Sequence, residues 1–153
     1  MSTSVVVSGE GADQLRVVAQ RLKAAGGGGG LRRDLLRGIK TAANPVLDDV
    51  RASASAELPK AGGLAERVAG SKFTVQVRTG AKTAGVRIRG QSGWNIGRMN
   101  RGILRHPVFG NRDVWVEQSI TPGWFDHPIQ ARAEPIRLAV VAVIDDVARR
   151  LES

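Results

Sequence analysis

Cysteine and tyrosine are absent from the 153-residue chain, and histidine occurs twice. Without cysteine there is no disulfide framework and no thiol chemistry, which fits assembly in a reducing cytoplasm. The two histidines, His106 and His127, stand alone beside prolines, and no His-x-x-x-His pair accompanies them. A catalytic zinc normally takes three protein ligands, so neither a metal nor a cofactor is expected. Long apolar runs are also missing: the longest, Leu138 to Ile144, is far too short to cross a bilayer. The N-terminus has no basic lead and no extended apolar core, so neither a signal peptide nor a membrane partner is expected.

The signatures of enzymes are missing too. Gly9 and Gly11 precede a helical pattern, but no later glycine completes a dinucleotide fingerprint and no Gly-Lys-Ser/Thr follows. Asp126, His127 and Ser119 carry the side chains of a hydrolytic triad, but no Gly-x-Ser-x-Gly elbow presents the serine. The chain is expected not to be an enzyme.

The last absence is local. From Lys72 to Arg112 there is no Asp or Glu, while nine basic residues fall there: Lys72, Arg78, Lys82, Arg87, Arg89, Arg98, Arg101, Arg105 and Arg112. The rest of the chain holds as many acidic as basic residues, so the net charge of +9 lives in this one segment. That is a localised field, suited to an interface or to nucleic acid, rather than a general solubility device.

What is present reads as one α+β domain over 1–153: a strand and helix to residue 25, a glycine linker at 26–30 and a main body from 31 onward. Val5, Val6 and Val7 mark a first strand within Ser4–Ser8, and Leu15, Val18, Ala19 and Leu22 form one helical face. A second stripe runs from Leu31 through Leu35, Ile39, Ala43, Val46, Val50 and Ala54 to Leu58. Pro45 interrupts it, predicting a kink or two helices end to end. Phe73, Val75 and Val77, then Val86 and Ile88, alternate with polar residues as an antiparallel hairpin with one apolar and one basic face. Gln91 to Arg101 reads as a long mobile loop, and 128–151 as a closing helix with Pro135 at a kink or in its first turn. The expected whole is an antiparallel sheet of about four strands, packed against a long N-terminal helix kinked near Pro45 and a C-terminal helix.

The centre of the pattern is Gly102 to Pro128, which holds Trp115, Trp124, Phe109 and Phe125 among Pro107, Pro122 and Pro128. Aromatics among turn formers read as a folded-back stretch pinned by large side chains, with a strand from Asp113 to Ile120. Trp94, Trp115 and Trp124 as a base-stacking platform is the alternative to packing in a core or interface. Packing is favoured, because only Trp94 lies within the basic segment and Trp115 alternates with Val114 and Val116.

The run His106-Pro107-Val108-Phe109-Gly110-Asn111-Arg112, then Trp115-Val116 and Pro122-Gly123-Trp124-Phe125, resembles the tail-completion proteins of long-tailed bacteriophages. The likeness extends more loosely to the helical first half, to Leu58-Pro59 with Gly62-Gly63-Leu64, and to the terminal helix. It implies a structural virion protein at the head–tail junction, made in the host cytoplasm, joining the head connector to the tail tube. Its implied partners are further copies of itself in a ring of about six, the adjacent neck or connector ring, and the tail terminator or tail tube protein. Double-stranded DNA passing through the channel is a further candidate. A tail terminator capping the tube and a sequence-independent DNA-binding protein are the alternatives.

Overall fold

The computed structural model describes residues 2–5, 10–25, 29–79, 85–91, 95–108 and 110–152. Among the described residues, seven helices and five strands run in the order β1 (Ser2–Val5), α1 (Glu10–Ala24), α2 (Gly29–Ala43), α3 (Pro45–Glu57), α4 (Leu64–Ala69), β2 (Lys72–Arg78), β3 (Gly85–Gln91), α5 (Ile96–Asn100), β4 (Ile103–Val108), β5 (Asn111–Ser119), α6 (Asp126–Ala131) and α7 (Ala133–Glu152). The protein is α+β, but the strands form two antiparallel sheets instead of one sheet of about four. β1, β3 and β2 make the first, in that order, and β4 and β5 make the second.

The helical layer follows from the apolar stripes. Leu15, Val18 and Leu22 on α1, Leu35, Ile39 and Ala43 on α2, and Ile136, Val140, Ile144 and Val147 on α7 are all buried. Each set recurs at three or four residues, so each helix turns one face inward. α7 packs on both α2 and α1. Ion pairs staple the rim of this layer: Arg150 to Asp34 at 2.7 Å, Arg21 to Glu152 at 3.3 Å, and Arg132 to Asp49.

Of the two outcomes expected at Pro45, a kink or two helices end to end, the chain takes the second: α2 and α3 meet at Asn44. Asn44 stays right-handed helical (φ −53°, ψ −38°), against its expected bias away from that region. The break therefore comes from the amide that Pro45 lacks, not from a change of backbone conformation before it. The glycine linker is shorter than expected, since Gly29 and Gly30 already open α2; Gly26 to Gly28 lie outside the described residues. The first strand is Ser2–Val5, earlier than the Val5–Val7 run predicts, with Val6 and Val7 outside the described residues. The closing helix is likewise two, α6 and α7, and Pro135 lies in the first turn of α7, where its missing amide costs nothing.

The hairpin β2–β3 is as the alternation predicts, pairing Phe73 with Gly90, Val75 with Ile88 and Val77 with Val86. Phe73, Val75, Val86 and Ile88 are buried on the side that α2 and α3 cover. Gly90 is a close approach: a Cβ there would stand 2.1 Å from Cδ1 of Ile96. The absent side chain lets Ile96 sink to 1% exposure against the sheet.

That packing overturns the long loop expected from Gln91 to Arg101. Residues 92–94, Trp94 among them, lie outside the described residues, but Ile96–Asn100 is helix α5, with Ile96, Met99 and Asn100 buried. The side chain of Asn95 caps it by accepting from the amide of Arg98 at 3.0 Å.

Candidate functional site

The Pro122–Phe125 turn is the best-anchored part of the Gly102–Pro128 stretch. Trp124 and Phe125 are each 1% exposed, and Phe125 lies 5.6 Å from Trp124 and 6.1 Å from Phe73, ring centre to ring centre. Gly123 has φ +84°, and a Cβ on it would meet the His127 ring at 2.4 Å, so the turn demands glycine twice over. Ser53 on α3 donates to the Trp124 carbonyl at 2.6 Å, tying the turn to the helical layer.

Sequence reasoning missed the residue that holds this turn in place. The Oδ1 atom of Asn100 accepts from the amides of Phe125 and Asp126, both at 3.1 Å, while its Nδ2 donates to Asp126 Oδ2 at 2.7 Å. Its backbone carbonyl also accepts from the Gly123 amide at 2.7 Å. A single asparagine in a polar, glycine-rich stretch carries no periodic signal. The only local cue was Asn95-Ile96 opening a short capped turn.

From this anchor the chain runs out into a two-stranded ribbon. β4 was not expected as a strand; β5, Asn111–Ser119, corresponds to the strand expected at Asp113–Ile120. Ile103 pairs with Ser119, Arg105 with Glu117 and Pro107 with Trp115, and the register shifts between Pro107 and Val108. All nine residues of β5 are exposed, and β4 is its one substantial neighbour among the described elements. Val114, Trp115 and Val116 are 48%, 44% and 39% exposed. Trp115 is therefore not a core residue. Its Nε1 donates to the Arg112 carbonyl at 2.6 Å, and the Arg105 guanidinium stands over its ring at 5.3 Å.

The ribbon is charge-balanced, with Arg105 and Arg112 against Asp113 and Glu117. The positive field lies mainly beside it. Lys72, Arg78 and Arg89 are exposed and Arg87 half-buried on the outer face of the first sheet, opposite the face that α2 and α3 cover. Arg98 on α5, Arg101 after it, and Arg105 and Arg112 continue the charge toward the ribbon. Lys82 and Phe109 lie outside the described residues. His106 and Pro107 are half-buried on β4, the His106 ring Nδ1 lying 3.2 Å from the Pro107 carbonyl oxygen, while Gly110 (φ +77°) turns the ribbon and Asn111 accepts from the Asp113 amide at 3.0 Å.

Apart from Arg101, the described basic residues of the segment thus divide between two places: the sheet face, and an open groove of about 1400 Å³ between the ribbon, α4 and α5. Arg67, Arg98, Arg105, Arg112 and Trp115 line that groove, and no carboxylate does among the described residues. Outside this region pairing is partial, since Lys23, Arg32, Arg33, Arg37, Lys40 and Lys60 have no carboxylate within 4.0 Å among the described residues. Arg16, Arg21, Arg51, Arg132, Arg137, Arg149 and Arg150 each meet a carboxylate within 4.0 Å. Among the described residues, Lys72, Arg78, Arg89, Arg98, Arg101, Arg105 and Arg112 have no such partner. Unpaired guanidiniums held on rigid elements favour an anionic surface.

Among the described residues no three His, Asp or Glu side chains gather in a group that could hold a metal ion. No helix among them is long and apolar enough to cross a membrane. The chain matches no protein-family model, no curated protein and no solved structure.

Proposed function

We propose that this protein is a non-enzymatic structural component of the bacteriophage head–tail junction, a ring-forming tail-completion or neck protein that joins the head connector to the tail tube in the virion. The β4–β5 ribbon carries the proposal. An isolated two-stranded ribbon is at best marginally stable in water, and this one holds Val114, Trp115 and Val116 in solvent. A charge-balanced ribbon with exposed apolar residues, standing on an anchored turn, is built to be covered by another protein surface.

In a ring each subunit matches one of its surfaces to a different surface of the next, so an arm on one side and a receiving edge on the other are what closure needs. The basic sheet face then meets an acidic neighbouring ring in the neck. It is the feature that favours a second reading, a DNA-facing channel lining. A dense positive lining would hold phosphates rather than let a genome slide, so the partner-ring reading is preferred.

The test is complementation. Lysates lacking this protein should contain filled heads and finished tails that do not join, and adding the purified protein should restore joining. Joined, infectious particles in its absence would reject the assignment.

A further inference from the structure

The first sheet ends on one side at β2, which has no strand neighbour on its outer edge among the described residues. An open edge offers a row of unpaired backbone groups to any extended segment that fits. The exposed strand of the ribbon fits it on both faces. β2 turns Phe73, Val75 and Val77 to the apolar side and Lys72, Thr74, Gln76 and Arg78 to the basic side. β5 places Val114 and Val116 on one face and Asp113, Trp115 and Glu117 on the other.

We infer that β5 of one copy adds as an antiparallel strand to the outer edge of β2 in the next copy, with Asp113 opposite Arg78. Side chains alternate along a strand, so this single register fixes both faces together. Val114 falls opposite Val77 and Val116 opposite Val75, extending the apolar face of the sheet and covering Val77, which is only half-buried in the lone chain. On the other face Trp115 falls opposite Gln76 and Glu117 opposite Thr74, two residues along the strand from Lys72. The two carboxylates of the ribbon thereby enter the acid-free basic face. Slipping by one residue would put both valines on the charged side and both carboxylates against the apolar layer, so parity alone excludes every odd register.

The occupant is a second copy of this chain because the complementarity is internal to it. The acidic strand and the basic edge belong to different sheets of one subunit. The contact is heterologous, using one surface of each kind per copy, and it leaves a free arm and a free edge at the ends of any open chain of subunits. It rests on the ring-forming reading above and names the surfaces that form the ring.

The absence of cysteine makes the test direct. Copies carrying Arg78→Cys are mixed with copies carrying Asp113→Cys under mild oxidation, beside a mixture of Arg78→Cys with Gln118→Cys as the register control. The first mixture should give a disulfide-linked pair and the second should not. Separately, Asp113→Arg and Arg78→Asp should each weaken self-association at least about tenfold, through like charges meeting across the strands, and mixing the two variants should restore it. Glutaraldehyde ladders and electron microscopy of the wild-type protein read ring formation independently of these positions. A closed ring without the 78–113 disulfide, and indifferent to both charge reversals, overturns the strand addition and leaves the ring standing. A 78–113 disulfide with open chains in place of closed rings supports the strand addition and rejects the ring. Neither a disulfide nor a ladder rejects both.

Discussion

Asn100 donates from its side-chain amide to Asp126 across 2.7 Å, and the oxygen of the same amide accepts from the backbone of Phe125 and of Asp126 itself. One buried side chain thus locks α5, at the root of the ribbon, to the turn that carries Trp124. The ribbon is projected from a fixed base, so its direction is set by the core.

Asn100→Ala should remove these bonds and leave two backbone amides without partners. Each buried orphan costs roughly 1–3 kcal/mol, so a loss of at least ~2 kcal/mol is expected in urea denaturation. A change below ~0.5 kcal/mol would mean that solvent replaces the amide and that the anchor lies elsewhere.

Trp124→Ala should cost ~3–5 kcal/mol, because a fully buried indole is removed from beside Phe125. A variant that melts like the parent yet fails to join heads to tails would make Trp124 an interface residue instead.

Gly123→Ala meets two obstacles, a positive φ and the His127 ring. It should destabilise by more than ~1 kcal/mol. Adding His127→Ala should recover the part due to the clash and leave the part due to backbone strain. Full recovery would show that the positive φ carries no cost here.

Arg87→Glu with Arg89→Glu reverses charge on the outer face of the first sheet without touching its apolar side. The folded variant should fail to join heads to tails, as expected if this face meets an acidic ring. Normal joining with genomes that leak or eject abnormally would transfer the face to the DNA channel.

The parts legible in the sequence were those with a period. The stripes of α1, α2, α3 and α7 and the alternation of β2 and β3 emerge because burial on one side imposes a repeat. Trp124 and Phe125 were legible as anchors because a Pro-Gly turn has few ways to hide two large rings. α5 was not, since its five residues are shorter than two helical turns and stand in a glycine-rich setting. β4 was masked by Pro107, which a strand tolerates in a ribbon whose outer edges are unpaired among the described residues. The division into two sheets depends on contacts between distant segments, which no local pattern records. The basic segment was legible as a charge block. Its division between the sheet face and the groove beside the ribbon required the fold.

The most direct measurement is a cryo-electron microscopy reconstruction of the virion neck with this subunit labelled. A closed ring around the channel between the head connector and the tail tube is predicted, each ribbon lying on the first sheet of the next copy. Label on the tail tip or inside the capsid, or a single asymmetric copy at the neck, would contradict it.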